Sequence, residues 1–269
     1  MKIRYDPYQI FRYSKTPVGL YARQKWLNEV ETPQWKADFD ETVSALLADQ
    51  LPDGSWEHHV LTTISRLFGL HLTVRSPSEQ ITHAIAWLLD KIELPAGNIL
   101  VSERMDSDRS ELAGLPFTPG RSDMLLTAAT LFLESIFGGQ DDPAVVNLYC
   151  HLCRIGEESN GLWHDPASSH NILRALVVHP VFSKDEATEA SVVRLSQRQT
   201  PDGDWGPDIP FYQALNALAH LDLPAAERQL VPALKRLLGT QKSDGTWSRS
   251  EPEWNTFLAV HALKSKGIL

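Results

Sequence analysis

The chain of 269 residues has globular composition, with 42% hydrophobic and 22% charged residues. Its formal net charge of -9 at pH 7 would repel a phosphate backbone, which argues against nucleic acid as a partner. No apolar run reaches the roughly 18 to 20 residues of a spanning helix, and the start MKIRYDPYQIFRYSK contains no apolar signal core. We therefore expect a cytoplasmic protein without an integral membrane segment.

Apolar residues at helical intervals predict a succession of helices along the whole chain. A weaker candidate near YARQKWLNE precedes stronger ones at ETVSALLADQ, HHVLTTISRLFGLHL, residues 81–92 and residues 123–137. The C-terminal half continues with AVVNLYCHLCRIGEE, ASSHNILRALVVH, ATEASVVRLSQRQ, IPFYQALNALAHLDL, LVPALKRLLGTQ and EWNTFLAVHALKSK. Two S-x-x-E patterns, Ser183 with Glu186 and Ser250 with Glu253, predict capping boxes at helix starts. The predicted class is all-α.

A five-residue phrase recurs between these helices, as PDGSW (52–56), SNGLW (159–163), PDGDW (201–205) and SDGTW (243–247). Trp163, Trp205 and Trp247 follow one another at intervals of 42 residues, and a fixed period of this size is typical of a repeat architecture. An Asp-Gly pair suits a turn that ends one helix and reverses the chain. Trp56 lies 107 residues before Trp163, so we expect an insertion, at residues 95–123. The length accommodates about six helix pairs, enough to close a ring.

A glutamine precedes three of the phrases, at Gln50, Gln199 and Gln241. This pattern resembles the QW repeat of the terpenoid cyclases and protein prenyltransferases; before Trp163 a glutamate replaces the glutamine. The resemblance implies an (α/α)6 toroid, with residues 1–269 as a single domain. It also implies that each Gln packs on its Trp as a clamp between the inner and outer helix layers.

The acid motifs of the resembling family are incomplete here. No D-x-D-D occurs; the nearest pieces are Asp106-Ser107-Asp108 and Asp123, which precedes an apolar helix and is either the acid or a helix-terminal residue favoured by the helix dipole. Asp141-Asp142 lacks the third acid of D-D-x-x-D and is equally a helix cap. No D-x-C of a zinc prenyltransferase occurs. We predict no metal site, and Mg2+ only if a diphosphate is bound.

Narrow polar rows mark the helices that follow the repeated phrase, which line the cavity in the resembling family. Their spacing of three and four residues places each row on one helix face. If these faces point inward, guanidinium and imidazole groups would suit a diphosphate or carboxylate; alternatively, the rows bond to neighbouring helices. The rows are His59, Thr63 and Arg66; His170 and Arg174; Gln213, Asn216 and His220; Trp254 and His261.

These observations predict an isoprenoid-handling enzyme, with a non-catalytic toroid that binds a lipid, a peptide or a partner protein as the alternative. Whether the first step uses an acid or the departure of a diphosphate stays open. A metal at His58-His59 or at His164, Asp165 and His170 is a weaker alternative. The candidate catalytic residues are Asp123, His59 and His170. The candidate substrate-binding residues are Arg66, Arg174, Thr63, Phe211, Tyr212, Asn216, His220, Trp254 and Phe257.

Overall fold

The computed structural model describes residues 2–92 and 109–269, and within these ranges it contains eleven α-helices and no strand. The predicted all-α class is therefore confirmed. Short 3-10 turns lie at Gln9–Phe11, Arg109–Leu112 and Phe182–Lys184. The helices are α1 (Pro17–Lys25), α2 (Pro33–Leu47), α3 (Val60–Thr73), α4 (Glu79–Asp90), α5 (Ser122–Phe137), α6 (Pro143–Glu158), α7 (Pro166–Val178), α8 (Glu186–Ser196), α9 (Phe211–Ala219), α10 (Pro224–Gly239) and α11 (Pro252–Ser265).

Alternate helices form a closed inner ring. Helices α1, α3, α5, α7, α9 and α11 each pack on the next, and α11 packs back on α1. Helices α2, α4, α6, α8 and α10 lie outside this ring, in contact with the inner helices beside them. An inner helix is covered on most of its faces, which is why α9 buries every residue from Gln213 to Ala219. The architecture is the predicted α/α toroid.

Proline and small polar residues fix where many helices begin. Six helices have proline in the first turn, where the missing N–H costs nothing. The two predicted capping boxes are wrong. Helix α8 is capped by Asp185, which accepts from the N–H of Ala187 at 2.9 Å, because Ser183 belongs to the preceding 3-10 turn. Helix α11 starts after Glu251, without a side-chain cap.

Four fully buried indoles join the two layers at the repeated turns. Each donates a hydrogen bond from Nε1 to a group of an outer helix or its C-terminal end. This bond satisfies the one polar atom of the indole while its rings remain packed between the layers. The pairs are Trp56 with Ala48 O (2.8 Å), Trp163 with Leu152 O (2.9 Å), Trp205 with Gln229 Oε1 (2.9 Å) and Trp247 with Leu237 O (2.8 Å).

The glutamines before the turns link neighbouring repeats. Each Nε2 donates to the glycine carbonyl of its own turn and also to a backbone carbonyl of the next outer element around the ring. The resemblance did not imply this lateral link. The carbonyls reached are Gln80 O from Gln50 (2.9 Å), Gln229 O from Gln199 (2.9 Å) and Tyr5 O from Gln241 (3.0 Å).

The turn glycines lie against the same outer elements. Each has positive φ, and an added Cβ would meet backbone of the next outer element. At Gly245 that backbone is Asp6 O, 2.0 Å from such a Cβ. The N-terminal segment, residues 4–7, thus occupies the place where a sixth outer helix would pack. At the other three turns, an added Cβ would lie closest to His83 O at Gly54 (2.6 Å), Ser191 N at Gly161 (2.4 Å) and Pro232 O at Gly203 (2.6 Å).

Residues 114–121, which we call the crossing segment, run over the N-terminal ends of α11, α9 and α7. Side chains of these helices hold its backbone, and its Leu115 and Phe117 are buried. The bonds that hold the crossing segment are Gly114 N to Glu251 Oε1 (2.9 Å), Gln213 Nε2 to Leu115 O (3.0 Å), Thr118 N to Asn171 Oδ1 (2.9 Å), Asn171 Nδ2 to Thr118 O (2.8 Å) and Arg121 N to Ser168 Oγ (3.3 Å).

Of the predicted insertion, residues 93–108 lie outside the described part of the chain, as does the Asp106-Ser107-Asp108 piece.

Candidate functional site

A buried guanidinium lies between the inner helices α7 and α9. Arg174 is 6% exposed, and its Nη1 donates to Asn216 Oδ1 at 3.0 Å and to Gln213 O at 3.4 Å. The guanidinium carbon lies 5.9 Å from the ring centroid of Phe132 on α5. Burial lowers the pKa of Arg174 to about 10, so it remains a cation at neutral pH.

No carboxylate of the described residues forms an ion pair with Arg174, and its buried Nε has no hydrogen-bond partner. Isolated charges are rarely buried, because desolvation is costly without a counter-charge. Here the cation is retained in the interior of a chain whose net charge is -9. The arrangement can bind an anion or the oxygen of a polar head group.

Two histidines, His71 of α3 and His261 of α11, lie towards the C-terminal ends of their inner helices. Tyr21 Oη of α1 lies 3.4 Å from Nε2 of His261 on α11, and the Arg75 guanidinium lies 4.6 Å from the Tyr21 ring centroid. Burial, followed by nearby positive charges that include Arg75, lowers the pKa of both His71 and His261 to about 4. Both imidazoles are therefore neutral at pH 7 and can donate or accept.

Aromatic rings from three inner helices pack beside these polar groups. The Phe257 ring stacks on Trp26 at 5.2 Å and on Trp254 at 5.6 Å, between ring centroids. Phe68 of α3 meets Trp254 edge-on at 5.8 Å. The predicted residues Trp254 and Phe257 thus belong to an aromatic wall of the inner ring, in which both are buried.

A groove of ≈ 440 Å3 opens between α7 and α8. Of the predicted site residues, His170 lines this groove. His170 is 3% exposed, and its ring lies beside the Gln213 side chain of α9. Burial, and then the charge of Arg174, lowers the pKa of His170 to about 3, so the ring is neutral. A neutral imidazole is a poor proton source for the acid role predicted from the sequence.

The first predicted row, at the start of α3, does not contribute side chains to the site around Arg174. Arg66 donates to the carbonyl of Ala45 in the outer helix α2. Thr63 accepts from the Trp56 N–H at 3.1 Å and so supports the repeated turn. His59 is exposed at the start of α3, where its Nδ1 accepts from the Thr62 N–H as a helix cap. Arg66 therefore bonds to a neighbouring helix, as the alternative reading of the rows expected, whereas His59 and Thr63 stabilise the start of α3 and the turn before it.

The predicted aromatic pair on α9 faces the outer layer. The Phe211 ring lies 5.8 Å from Trp205 and 5.5 Å from the Arg236 guanidinium, and Tyr212 packs edge-on against Phe211. His220, at the exposed C-terminal end of α9, bonds to His261 at 3.0 Å between Nε2 and Nδ1. Of the nine predicted substrate-binding residues, Arg174 and Asn216 are in direct contact, and Trp254 and Phe257 line the aromatic wall.

Asp123 stands at the start of α5 and forms a two-bonded ion pair with Arg121. Arg121 Nε lies 3.1 Å from Oδ1, and Nη2 lies 2.8 Å from Oδ2. The Met124 N–H also donates to Oδ1 at 2.8 Å. Such a pair stabilises the carboxylate as an anion, which is the wrong form for a proton donor. The second predicted acidic piece has a structural role too, because Asp142 caps α6 by accepting from the Ala144 N–H.

Within residues 2–92 and 109–269, no three His, Cys, Asp or Glu side chains are placed to hold a metal ion. His164 lies 3.0 Å from Asp165, but the two form a surface pair rather than a metal site with His170. The donors among the described residues therefore do not fit Mg2+.

Sequence reasoning missed Tyr21, His71 and Arg75 as interior residues. Phe68 and His71 lie three residues apart on one face of α3, the spacing that selected the other rows, and Arg75 follows two residues after the helix ends, at a φ of +64°. This face of α3 was overlooked because the row of His59, Thr63 and Arg66 lies on another face of the same helix.

No protein-family model matches the chain, and a search of curated proteins finds no match. Solved structures with the same fold do match. A protein from Actinoplanes has 16% identity and a TM-score of 0.60, over 96% of this chain and 90% of that one. A variant of the type II terpene cyclase MstE from Scytonema, in complex with geranylgeranyl dihydroxybenzoate, has 17% identity and a TM-score of 0.59, over 96% and 88%.

A second variant of that cyclase, without ligand, has 16% identity and a TM-score of 0.57, over 96% of this chain and 87% of that one. The chain therefore has a terpene cyclase-like fold. At this identity the likeness concerns the fold. In the described ranges no helix is both long and apolar enough to cross a bilayer.

Proposed function

We propose that this protein handles an isoprenoid with an anionic head group, and that Arg174 binds the head. The observation that carries the proposal is the guanidinium of Arg174, buried between inner helices without a carboxylate partner among the described residues. An anionic ligand would supply the missing counter-charge in a low-dielectric site, where such a bond is strong.

The surroundings of Arg174 support the assignment. Asn216 fixes one nitrogen of the guanidinium, so the group is oriented before the ligand arrives. The rings of Phe68, Phe132, Trp254 and Phe257 belong to the same inner ring and offer an apolar surface for a prenyl chain. Aromatic faces also stabilise a cation that develops along such a chain.

The fold supports an isoprenoid as the ligand class. The Scytonema cyclase of the same fold is described with geranylgeranyl dihydroxybenzoate as its substrate. We extend the prenylated character of that substrate to this chain as part of the proposal. We also propose that residues 1–269 act as a single toroidal domain, since the inner ring closes and residues 4–7 close the outer layer. A cytoplasmic location is kept as part of the proposal, from the sequence alone.

A non-catalytic toroid is the second candidate, and the ion pair of Asp123 with Arg121 favours it. The carboxylate nearest to the expected acid position is paired with Arg121, and His170 is neutral. Such a protein would bind the isoprenoid, or a lipid, peptide or partner protein, without turnover.

Calorimetric titration with farnesyl diphosphate, with and without Mg2+, tests the binding proposal. Arg174→Gln should weaken binding by about tenfold or more, because the head group loses its charged partner. Arg66→Gln is the matched control, since Arg66 bonds to the outer helix α2, and it should change the affinity by less than about twofold. Equal affinities of Arg174→Gln and the wild type would overturn the proposal.

Mass spectrometry of the incubated ligand separates the two candidates. A cyclised or transferred prenyl product, absent with Arg174→Gln, supports the enzyme. Binding that depends on Arg174 but leaves the ligand unchanged supports the non-catalytic toroid.

A further inference from the structure

We propose that the groove between α7 and α8 is a second binding site, for a small carboxylic acid that also carries a hydroxyl group. The site lies at the side of the ring, between an inner and an outer helix, and it does not depend on the isoprenoid proposal. Three features carry it: the groove itself, an unpaired guanidinium on one wall, and a buried imidazole on the other.

The groove has the size and walls of a small-molecule site. Its volume of ≈ 440 Å3 falls within the range of several hundred Å3 that is usual for ligand sites. Apolar side chains cover much of the wall, from the repeated turn, both helices and the start of α9. They are Leu162, Leu173, Leu195 and Ile209. This surface suits the hydrocarbon body of a ligand.

Arg194 supplies a positive charge on the α8 wall. It is half-buried, and its guanidinium has no hydrogen-bond or ion-pair partner among the described residues. The neighbouring Arg198 differs, because its guanidinium already binds Asp208 at 2.8 Å. An unpaired guanidinium beside an apolar wall matches a carboxylate, which it can hold with two parallel bonds.

Asp165 does not cancel this charge. It is the one carboxylate among the described residues that line the groove, and both of its oxygens are engaged. Oδ1 accepts from the Ser168 N–H at 2.7 Å as the cap of α7, and Oδ2 lies 3.0 Å from His164 Nδ1. The anionic end of a ligand is therefore expected at Arg194, away from Asp165.

His170 supplies the second contact, on the α7 wall. It is 3% exposed, and its ring lies beside the Gln213 side chain of α9, which can satisfy one ring nitrogen. A ligand hydroxyl can satisfy the other nitrogen in either tautomer, because it both donates and accepts. The low pKa of His170, about 3, agrees with a neutral ring at physiological pH.

Titration calorimetry with 4-hydroxybenzoate as the probe tests the site. Benzoate lacks the hydroxyl and phenol lacks the carboxylate, so both should bind more weakly, by about fivefold or more. Arg194→Gln should weaken 4-hydroxybenzoate binding by about tenfold or more. Arg228→Gln, an exposed arginine on the outer helix α10, is the matched control and should leave it unchanged.

His170→Phe should remove the preference for 4-hydroxybenzoate over benzoate while retaining the effect of Arg194. Circular dichroism melting of each variant checks that it is folded. Arg174→Gln should bind 4-hydroxybenzoate like the wild type, so that failure of the isoprenoid proposal and failure of this one are distinguishable. Undetectable binding to the wild type, or binding that Arg194→Gln leaves intact, would overturn the proposal.

Discussion

The side-chain amide of Gln241 bonds to the backbone of Tyr5, 236 residues earlier in the chain, through both of its ends. Nε2 donates to Tyr5 O at 3.0 Å, and Oε1 accepts from the N–H groups of Tyr5 and Arg4 at 3.2 and 3.1 Å. Gln50 and Gln199 reach outer helices through their Nε2 atoms. The N-terminal segment therefore completes the outer layer, and Gln241 closes it.

Gln241→Ala should lower the free energy of unfolding by about 2 to 3 kcal/mol, because it removes several bonds of a buried amide and leaves backbone groups unpaired. Urea denaturation measures the change. Gln140→Ala is the control, since the Gln140 amide contacts the exposed Asp141, and it should cost less than about 0.5 kcal/mol. Equal effects of the two substitutions would contradict the closing role of Gln241.

Gly245 and Gly206 have nearly the same φ, +84° and +85°, but different surroundings. An added Cβ at Gly245 would lie 2.0 Å from Asp6 O, whereas nothing lies within 4 Å of one at Gly206. Gly206→Ala should cost about 1 kcal/mol for its positive φ alone. Gly245→Ala should cost at least about 2 kcal/mol more in the same urea assay, because the backbone of residues 4–7 must move. A difference of under about 0.5 kcal/mol would show that this contact is not tight.

Arg174→Met should raise the free energy of unfolding of the ligand-free protein by about 1 kcal/mol. A buried cation without a counter-charge is replaced by an apolar side chain of similar length, which removes its desolvation cost. Thermal and urea denaturation measure the change. A loss of stability would mean that the bonds to Asn216 and Gln213 make Arg174 a structural residue rather than a binding residue.

The protein should lose stability as the pH falls below about 6.5. His71, His170 and His261 have folded pKa values of about 4, 3 and 4, below the ordinary value of 6.5. Between pH 6.5 and about 4 the unfolded chain binds protons that the folded chain does not, so the stability present above pH 6.5 is lost on acidification. Each imidazole contributes up to about 1.4 kcal/mol per pH unit.

Urea denaturation at pH 7, 6 and 5 measures this slope. His71→Phe should reduce it by up to about 1.4 kcal/mol per pH unit, because one of the contributing imidazoles is removed. Exposed His83→Gln is the control and should change the slope less than His71→Phe does. A stability that is constant from pH 7 to pH 5 would contradict the burial of neutral imidazoles.

Local patterns predicted the helices well but located their starts less well. The expected helices at 81–92 and 123–137 match α4 (Glu79–Asp90) and α5 (Ser122–Phe137) closely, since apolar periodicity extends over several turns. The capping boxes at Ser183 and Ser250 rested on four residues each. In the structure a 3-10 turn takes up Ser183, and α11 begins after Glu251 instead.

Polar residues proved harder to place than apolar ones. Arg66 and Arg174 occupy similar positions in two predicted rows, yet the first bonds to an outer helix and the second lies between inner helices. A shift of one residue around a helix turns a side chain by about 100°. Which neighbour it meets then depends on how the helices pack, and the spacing of the row carries no such information.

The sequence by itself determined the repeat, the turn chemistry and the all-α toroid, because these depend on periodicity and on residues whose local preferences are strong. Only the tertiary structure decided which polar groups share the interior, that Asp123 is paired with Arg121, and that residues 4–7 stand in for a sixth outer helix. These outcomes join residues far apart in the chain, and burial rather than local preference sets the charge and the partner of each group.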